Sequence, residues 1–417
     1  MPDCTILTDT TAGRDDDLLA FRRYLDPLEQ ILRSPAVGTP LTVGIFGTWG
    51  SGKSTLLRML AERLTGDDFL CVDFNPWLYR KEPSMLVPLL HTLHDAMDAA
   101  DGGRNFKESA KKIFDVLARL GAETFLKTVT AGAVSIERIE KLEETYAKTA
   151  GKLTSELRNL RGLLQKEADA VAAAKTRIVV FIDDLDRCEP DQIIDVLEST
   201  KLFLDLRNVV IVLAIDKEVI DRGIQVKYGK FGFAEGRDYA IGAEYLEKMI
   251  QLPLQLYPLQ PTQVGELVRK LAPAGVGLLA HNADFLQKVL LPNPRKIKRI
   301  ANILTLTDAI RGATPALAAL PEEPLVHLIV LQVQYPELYN NAVRQIDLLP
   351  VLEDVYAGRR NAGDEASFQN LGARGETLRA LCLRFHEPVG ILPQLFAGGV
   401  FGKAKPHLPA YVSMLGG

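Results

Sequence analysis

Residues 47–55 read Gly47-Thr48-Trp49-Gly50-Ser51-Gly52-Lys53-Ser54-Thr55, and this stretch decides the fold class. It fits the pattern Gly-x-x-x-x-Gly-Lys-Ser/Thr, in which glycines let the backbone curl so that successive N–H groups face a phosphate. Its surroundings match. The apolar run 41–46 is short and bounded by Pro40 and Gly47, so it reads as a buried strand; Leu56, Leu57, Met59, Leu60 and Leu64 then continue at helical spacing. Strand, glycine loop and helix N-terminus together make an anion cradle, because the helix end adds positive potential. In that frame the nine loop residues line a nucleotide's phosphates. Lys53 reaches the β- and γ-phosphates, and the Ser54 hydroxyl helps to hold Mg²⁺.

Working outward, three more apolar runs read as strands: 69–74, closed by Asn75 and Pro76; 178–182, ending in Asp183 and Asp184; and 209–215, ending in Asp216. A weaker candidate lies within 249–256. Near-continuous apolar runs separated by helical intervals predict a parallel sheet covered on both faces, an α/β three-layer core. Ligands of such sheets gather beyond the carboxyl ends of the strands, so Phe46, Ile182 and Ile215 point at one crevice.

The acids at those ends carry the second half of the chemistry. In Ile178-Val-Val-Phe-Ile-Asp183-Asp184-Leu-Asp186-Arg187 an apolar strand delivers two carboxylates, the Walker B arrangement. Asp183 is placed to bind Mg²⁺, and Asp184 to polarise the water that attacks the γ-phosphate. A cation between them also explains why adjacent carboxylates are tolerated. Asp186 and Arg187 read as a local ion pair or as groups that orient a neighbour. Asp216 has two readings: it positions the attacking water, or it caps the helix beginning near Lys217. Guanine is disfavoured, since Lys217 is not flanked by the Asn and Asp of an Asn-Lys-x-Asp signature. Farther on, Asn293-Pro294 suits an N-cap and first helical position, which mounts Arg295 in the first turn of a helix. There it either senses the γ-phosphate or belongs to a solvated basic face.

The chain has 417 residues, 47% hydrophobic and 24% charged, which suits a folded protein of two or three domains. Its net charge of −4 supplies no global field for nucleic acid, so that partner is not favoured; a local basic segment at 295–299 is where it would dock. Four scattered cysteines give no disulfide scaffold or Cys-x-x-Cys zinc pair, and the six histidines form no metal site; His91 and His94 lack further ligands. The longest charge-free stretches, 34–52 and 249–265, are broken by proline, glycine and glutamine. No membrane span is therefore expected, and without a signal segment a cytoplasmic location is.

The expected organisation is a loose tail over 1–15, a core over 16–260 with a helical insertion at about 100–175, and a helical domain over 261–417. Within the insertion Ile136, Ile139, Leu142, Tyr146, Leu153, Leu157, Leu160 and Leu164 recur near every 3.5 residues among Lys and Glu. That stretch is a long arm packing on its own domain or a coil that binds a partner. The terminal stretch 399–417 has no clear period.

Taken together, Gly47-Thr-Trp-Gly-Ser-Gly-Lys-Ser54, Phe74-Asn-Pro-Trp77-Leu-Tyr79, Phe181-Ile-Asp-Asp-Leu-Asp-Arg187, Tyr245-Leu-Glu-Lys-Met-Ile-Gln-Leu-Pro253 and Asn293-Pro-Arg295-Lys-Ile-Lys-Arg299 resemble the KAP family of P-loop NTPases, within the ASCE and STAND-like group. The likeness runs over roughly 16–339. It implies a P-loop NTPase core with ATP as substrate, the Walker A and Walker B strands side by side, and a sensor role for Arg295. Many members carry membrane helices between the Walker motifs; here that interval is Lys- and Glu-rich, so no membrane attachment is carried over. Bacterial members suggest plasmid- or phage-related defence. The expectation is a Mg²⁺-dependent ATPase switch that works as a homo-oligomer or with a partner protein, completed in trans by an arginine for which Arg187 and Arg222 are weak candidates. The rivals are a non-hydrolysing ATP-bound scaffold and a nucleic-acid-stimulated ATPase.

Overall fold

The computed structural model describes residues 6–7, 17, 19–66, 68–82, 85–101, 158, 161–173, 175, 177–228, 245–272 and 277–415. The chain divides into two compact units, one Thr11–Tyr257 and the other Met1–Thr10 with Pro258–Gly417.

The first unit is built on five parallel strands: β1 (Leu41–Phe46), β2 (Phe69–Phe74), β3 (Arg177–Ile182), β4 (Val209–Ile215) and β5 (Leu252–Gln255). Their order in the sheet is β2-β3-β4-β1-β5. Alternate side chains of each strand feed opposite layers. Val43, Ile45, Val179, Phe181, Val210 and Val212 pack beneath α1 (Arg22–Arg33) and α2 (Lys53–Leu64). Ile178, Val180, Ile182, Ile211, Leu213 and Ile215 pack with α3 (Leu86–Asp101) and α5 (Pro190–Leu204) on the other face. Burial on both faces is why these strands read as unbroken apolar runs rather than alternating ones.

One expectation is corrected. The Walker strands β1 and β3 are not side by side: β4 lies between them and pairs with both. The β3–α5–β4 crossover returns the chain to the inner side of β3, so the tip of β4, with Asp216, falls between the phosphate loop and the acidic pair.

The periodic pattern starting near Asp16 becomes a helix only from Arg22, and the Asp17 carboxylate accepts from the entry N–H groups of Phe21 (2.6 Å) and Arg22 (3.1 Å), which the helix itself leaves unpaired. Most of the insertion, including 136–157 and 159–160 and so every periodic position before Leu164, lies outside the described residues. Its end is described: a helix, α4, runs through 161–173 and buries Leu164 and Ala168 in the core. Gln165 pairs both ways with the Arg207 backbone, and Asp169 holds the Arg207 guanidinium at 3.0 Å. β3 opens on a buried arginine that apolar patterning cannot anticipate. Arg177 donates to the carbonyls of Leu32 (3.1 Å), Ser34 (2.8 Å) and Val37 (2.8 Å), tying the turn after α1 to the sheet.

β4 leads into α6 (Lys217–Tyr228). In the second unit α7 (Pro261–Leu271) is followed by α8 (Pro294–Ala313) and α9 (Glu322–Gln334). Residues Pro324 to Leu331 of α9 are all buried, so α9 is the central helix. Its polar members are satisfied: His327 Nδ1 lies 2.8 Å from Leu395 O and its ring stacks on Phe285, while Gln334 bonds Val289 O and Leu291 N. Buried Glu353 accepts from Phe401 N (3.1 Å) and Gly402 N (2.7 Å). The aperiodic terminal stretch forms Val400–Ala404 and Leu408–Met414, helices too short to show a period, yet Phe401, Leu408 and Tyr411 are buried. At the other end of the chain, Leu7 exchanges two 2.7 Å hydrogen bonds with the Asn302 side chain of α8.

Candidate functional site

The loop 47–52 leaves β1 with Gly47 N bonded to Ile215 O at 3.1 Å, so its start is anchored to the tip of β4. Two glycines there are dictated by geometry. A Cβ on Gly47 would come within 2.5 Å of Ser51 Oγ; Gly52 has φ +98°, and a Cβ on it would meet Phe21 Cζ at 2.6 Å. The loop therefore curls tightly against α1 and hands directly into α2, whose first residue is Lys53. Lys53 is buried, and its ammonium donates to Gly47 O (2.9 Å) and Thr48 O (3.3 Å) across the loop mouth. Ser51 Oγ is buried with no hydrogen-bond partner among the described residues. Ser54 and Thr55 are half-buried in the first turn of α2, and Trp49 projects outward, 64% exposed.

Asp183 and Asp184 follow β3 at the same edge of the sheet. Asp183 N is held by Phe74 O of β2 (3.2 Å), and Asp183 Oδ1 accepts from Asp184 N at 2.8 Å. Asp184 takes a left-handed backbone conformation (φ 57°, ψ 24°), which aspartate tolerates better than most residues. Its two carboxylate oxygens are both engaged: Oδ2 accepts from Asn75 Nδ2 at 2.8 Å, and Oδ1 meets Arg187 Nε at 2.9 Å. Arg187 thus pairs with Asp184 within its own chain. Arg222 is paired with Glu218 on α6.

Asp186 belongs to the same electrostatic neighbourhood. Burial pushes its carboxyl up, the Lys53 ammonium pulls it down, and Asp184 and Asp183 push it up again. On β2, burial and then Asp183 push the Asp73 carboxyl up. The adjacent Cys188 thiol is pushed up to about 11, chiefly by burial, which makes it a poor nucleophile. Among the described residues Cys71, Cys188 and Cys382 are free thiols.

Asp216 is buried at the tip of β4, and its Oδ1 accepts from Glu218 N at 3.2 Å, so it does cap α6. It also lines a cavity of about 530 Å³ beside Gly47, Thr48, Asp221, Arg222 and Gln255. Capping and a place at the phosphate loop are therefore compatible. Arg295 belongs to the second unit. Asn293 Oδ1 accepts from Lys296 N (3.1 Å), Pro294 opens α8, and Arg295 stands half-buried in the first turn. Arg295 is thus mounted as expected, in the unit that does not contain the phosphate loop.

The structure brings Lys53, Asp183, Asp184, Asp186 and Asp216 to one edge of one sheet. Sequence reasoning assigned no role to Asn75. The signal was available: like Asp183 and Asp216, it is the first polar residue beyond an apolar strand of a parallel sheet, where ligands gather.

No helix among the described residues is long and apolar enough to cross a membrane, and no three His, Cys, Asp or Glu side chains there form a metal-binding group. The chain is 22% identical over 266 residues to the Phage T7 exclusion protein of Escherichia coli K12, a match covering 58% of this chain and 33% of that protein. It thus spans about a third of that relative's length. It is 26% identical over 178 residues to the uncharacterized protein MJ0182 of Methanocaldococcus jannaschii, covering 34% of this chain and 89% of the other. A 50-residue stretch is 40% identical to the human Kinase D-interacting substrate of 220 kDa, 12% of this chain and 3% of that one. The model of the KAP family P-loop domain matches residues 21–311, more than half the chain, and spans the glycine loop, the acidic strand end and α8's first turns. With that match and this parallel sheet, the chain belongs to the KAP family of P-loop NTPases.

Proposed function

We propose that this chain binds ATP with Mg²⁺ and hydrolyses it, turning over as a conformational switch. One observation carries the reading: a buried lysine bridging a glycine loop stands at the same carboxyl edge as Asp183, Asp184 and Asp186, near enough to perturb the last of them. The loop's own geometry fits a polyphosphate. Among the described residues Ser51 Oγ is orphaned; Gly47 has no room for a Cβ, and Lys53 donates to the loop carbonyls of Gly47 and Thr48. An acidic strand tip facing that loop fits a hard divalent ion with oxygen ligands.

In this reading Lys53 leaves the Gly47 and Thr48 carbonyls for phosphate oxygens, which accept more strongly because they are charged. Ser54 and Asp183 hold Mg²⁺, whose contribution is to neutralise charge on the phosphate oxygens. Asp184 accepts the proton of the attacking water. Asp216 keeps one oxygen on Glu218 N and uses the other to position that water. Arg295 senses the γ-phosphate from the first turn of α8. With Arg187 committed to Asp184, further positive charge comes from another copy or a partner protein, which makes turnover assembly-dependent; the insertion over 100–175 is the proposed contact.

Likeness to a phage exclusion protein supports a place in anti-phage defence. Plating efficiency of phage on cells carrying the parent chain or Lys53→Ala tests that role. Equal plating on both would contradict it. Hydrolysis itself is tested by inorganic phosphate release from Mg·ATP, reduced to a small residual rate in Lys53→Ala and in Asp184→Asn; release unaffected by either change would contradict the assignment.

A further inference from the structure

The Phe74-Asn-Pro-Trp-Leu-Tyr79 stretch has no part in the chemistry above, yet it touches the proposed water-activating residue. Asn75 is the first residue past β2, and its side chain is used at both ends. Oδ1 accepts from Trp77 N at 3.1 Å, capping the single helical turn Pro76–Tyr79, and Nδ2 donates to Asp184 Oδ2 at 2.8 Å. The cap settles the orientation of the amide. With its oxygen committed to a backbone N–H, the face turned to Asp184 is the donor face. The turn is itself fixed. Pro76 is buried, Tyr79 stacks on Phe74 with ring centroids 5.7 Å apart, and the turn's end is held by Gln192 Nε2 on Arg80 O at 2.7 Å.

The other oxygen of Asp184 is held from the same place. The Arg187 guanidinium, whose Nε meets Asp184 Oδ1 at 2.9 Å, lies over the Trp77 ring, 5.5 Å from its centroid. A planar cation on an indole face is restrained in direction as well as attracted. Asn75, Trp77, Arg187 and Asp184 therefore close a ring of contacts: backbone cap, cation on indole, and one donor on each carboxylate oxygen. Asp184 enters that ring through a left-handed backbone conformation that only a minority of non-glycine residues adopt. Each oxygen of a carboxylate has two lone-pair directions, so one donor apiece aims the group and leaves a direction for water.

We infer that Asn75 is the positioning residue for Asp184, with Trp77 and Arg187 completing its mount. This rests on the hydrolytic reading of Asp184. Two variants separate the donor from the cap. Asn75→Asp keeps an oxygen for Trp77 N but presents no donor to Asp184; Asn75→Ala removes both. Phosphate release and equilibrium ATP affinity are measured for each, in the parent and in the Asp184→Asn background, with melting temperatures to confirm folding.

The expected result is a fall in kcat on the order of ten- to a hundredfold for both variants, the size of effect that misplacing a reacting group produces. ATP affinity stays within about twofold, and the Asp184→Asn background shows no further loss, since residues acting through one another are not additive. A folded Asn75→Asp protein with parental kcat, a rise in kcat, or an equal fall with Asp184→Asn present would overturn the inference while leaving an active parent as evidence for hydrolysis. A parent that binds ATP and releases no phosphate would instead overturn the hydrolytic reading, and the inference with it.

Discussion

The ammonium of Lys53 donates to the carbonyl oxygen of Gly47 at 2.9 Å, so the loop's first residue and the residue after its last glycine are joined across its mouth. A phosphate entering the loop competes for that ammonium against neutral acceptors. Charge-assisted hydrogen bonds are worth about 1.5–3 kcal/mol. Lys53→Ala should therefore weaken ATP binding by on the order of ten- to a hundredfold by titration calorimetry, at little cost to melting temperature. Unchanged affinity would place the nucleotide elsewhere.

Gly52 makes a separate prediction, because two independent constraints meet there. Its φ of +98° is unfavourable for any side chain, and a Cβ would strike the Phe21 ring of the α1 entry at 2.6 Å. Gly52→Ala should cost about 1–3 kcal/mol of stability in the nucleotide-free protein. Trimming Phe21 should not restore it, since the backbone strain remains. A variant with parental melting temperature would contradict the loop geometry.

Arg177 ties three carbonyls of the turn after α1, and losing it strands all three near the start of β3. Arg177→Met should cost about 2–4 kcal/mol, or a fall in melting temperature of roughly 4–16 °C for a unit of this size. The assay is thermal unfolding followed by circular dichroism; a shift under about 2 °C would mean that water satisfies those carbonyls as well as the guanidinium does.

His327 predicts a pH effect with a definite sign. Burial lowers its pKa from 6.5, outweighing the upward pull of Leu395 O and Glu323. The unfolded chain therefore takes up a proton near pH 6.5 that the folded chain refuses until lower pH. Stability should be full above that value and decline as pH falls below it, towards the depressed pKa. Parent and His327→Gln, melted from pH 7.5 to pH 5.5, should differ in slope, the variant being flatter. Parallel curves would contradict a neutral, buried imidazole.

Much of this fold was legible because parallel strands buried on both faces leave a strong signature: 41–46, 178–182 and 209–215 read directly as strands, and the glycine loop identified which of them carries the phosphate site. Strand order was not legible, because a crossover helix connects equally well to either side of β3; β4 falls between the Walker strands for reasons of packing, not of local pattern. Arg177 escaped notice since a charged residue at a strand's start looks like a boundary. The role of Asn75 is not legible in the sequence, because its partner Asp184 lies more than a hundred positions away and only the adjacency of β2 and β3 joins them. The short terminal helices lack the length over which a period declares itself.

Phosphate release from Mg·ATP across a hundredfold range of protein concentration, with Lys53→Ala and Asp184→Asn alongside, tests whether assembly completes the ATPase. Specific activity that climbs with concentration in the parent, and falls to a small residual rate in both variants at every concentration, is the predicted result. Specific activity that is flat with concentration, or equal in the three proteins despite ATP binding by the parent, would contradict it.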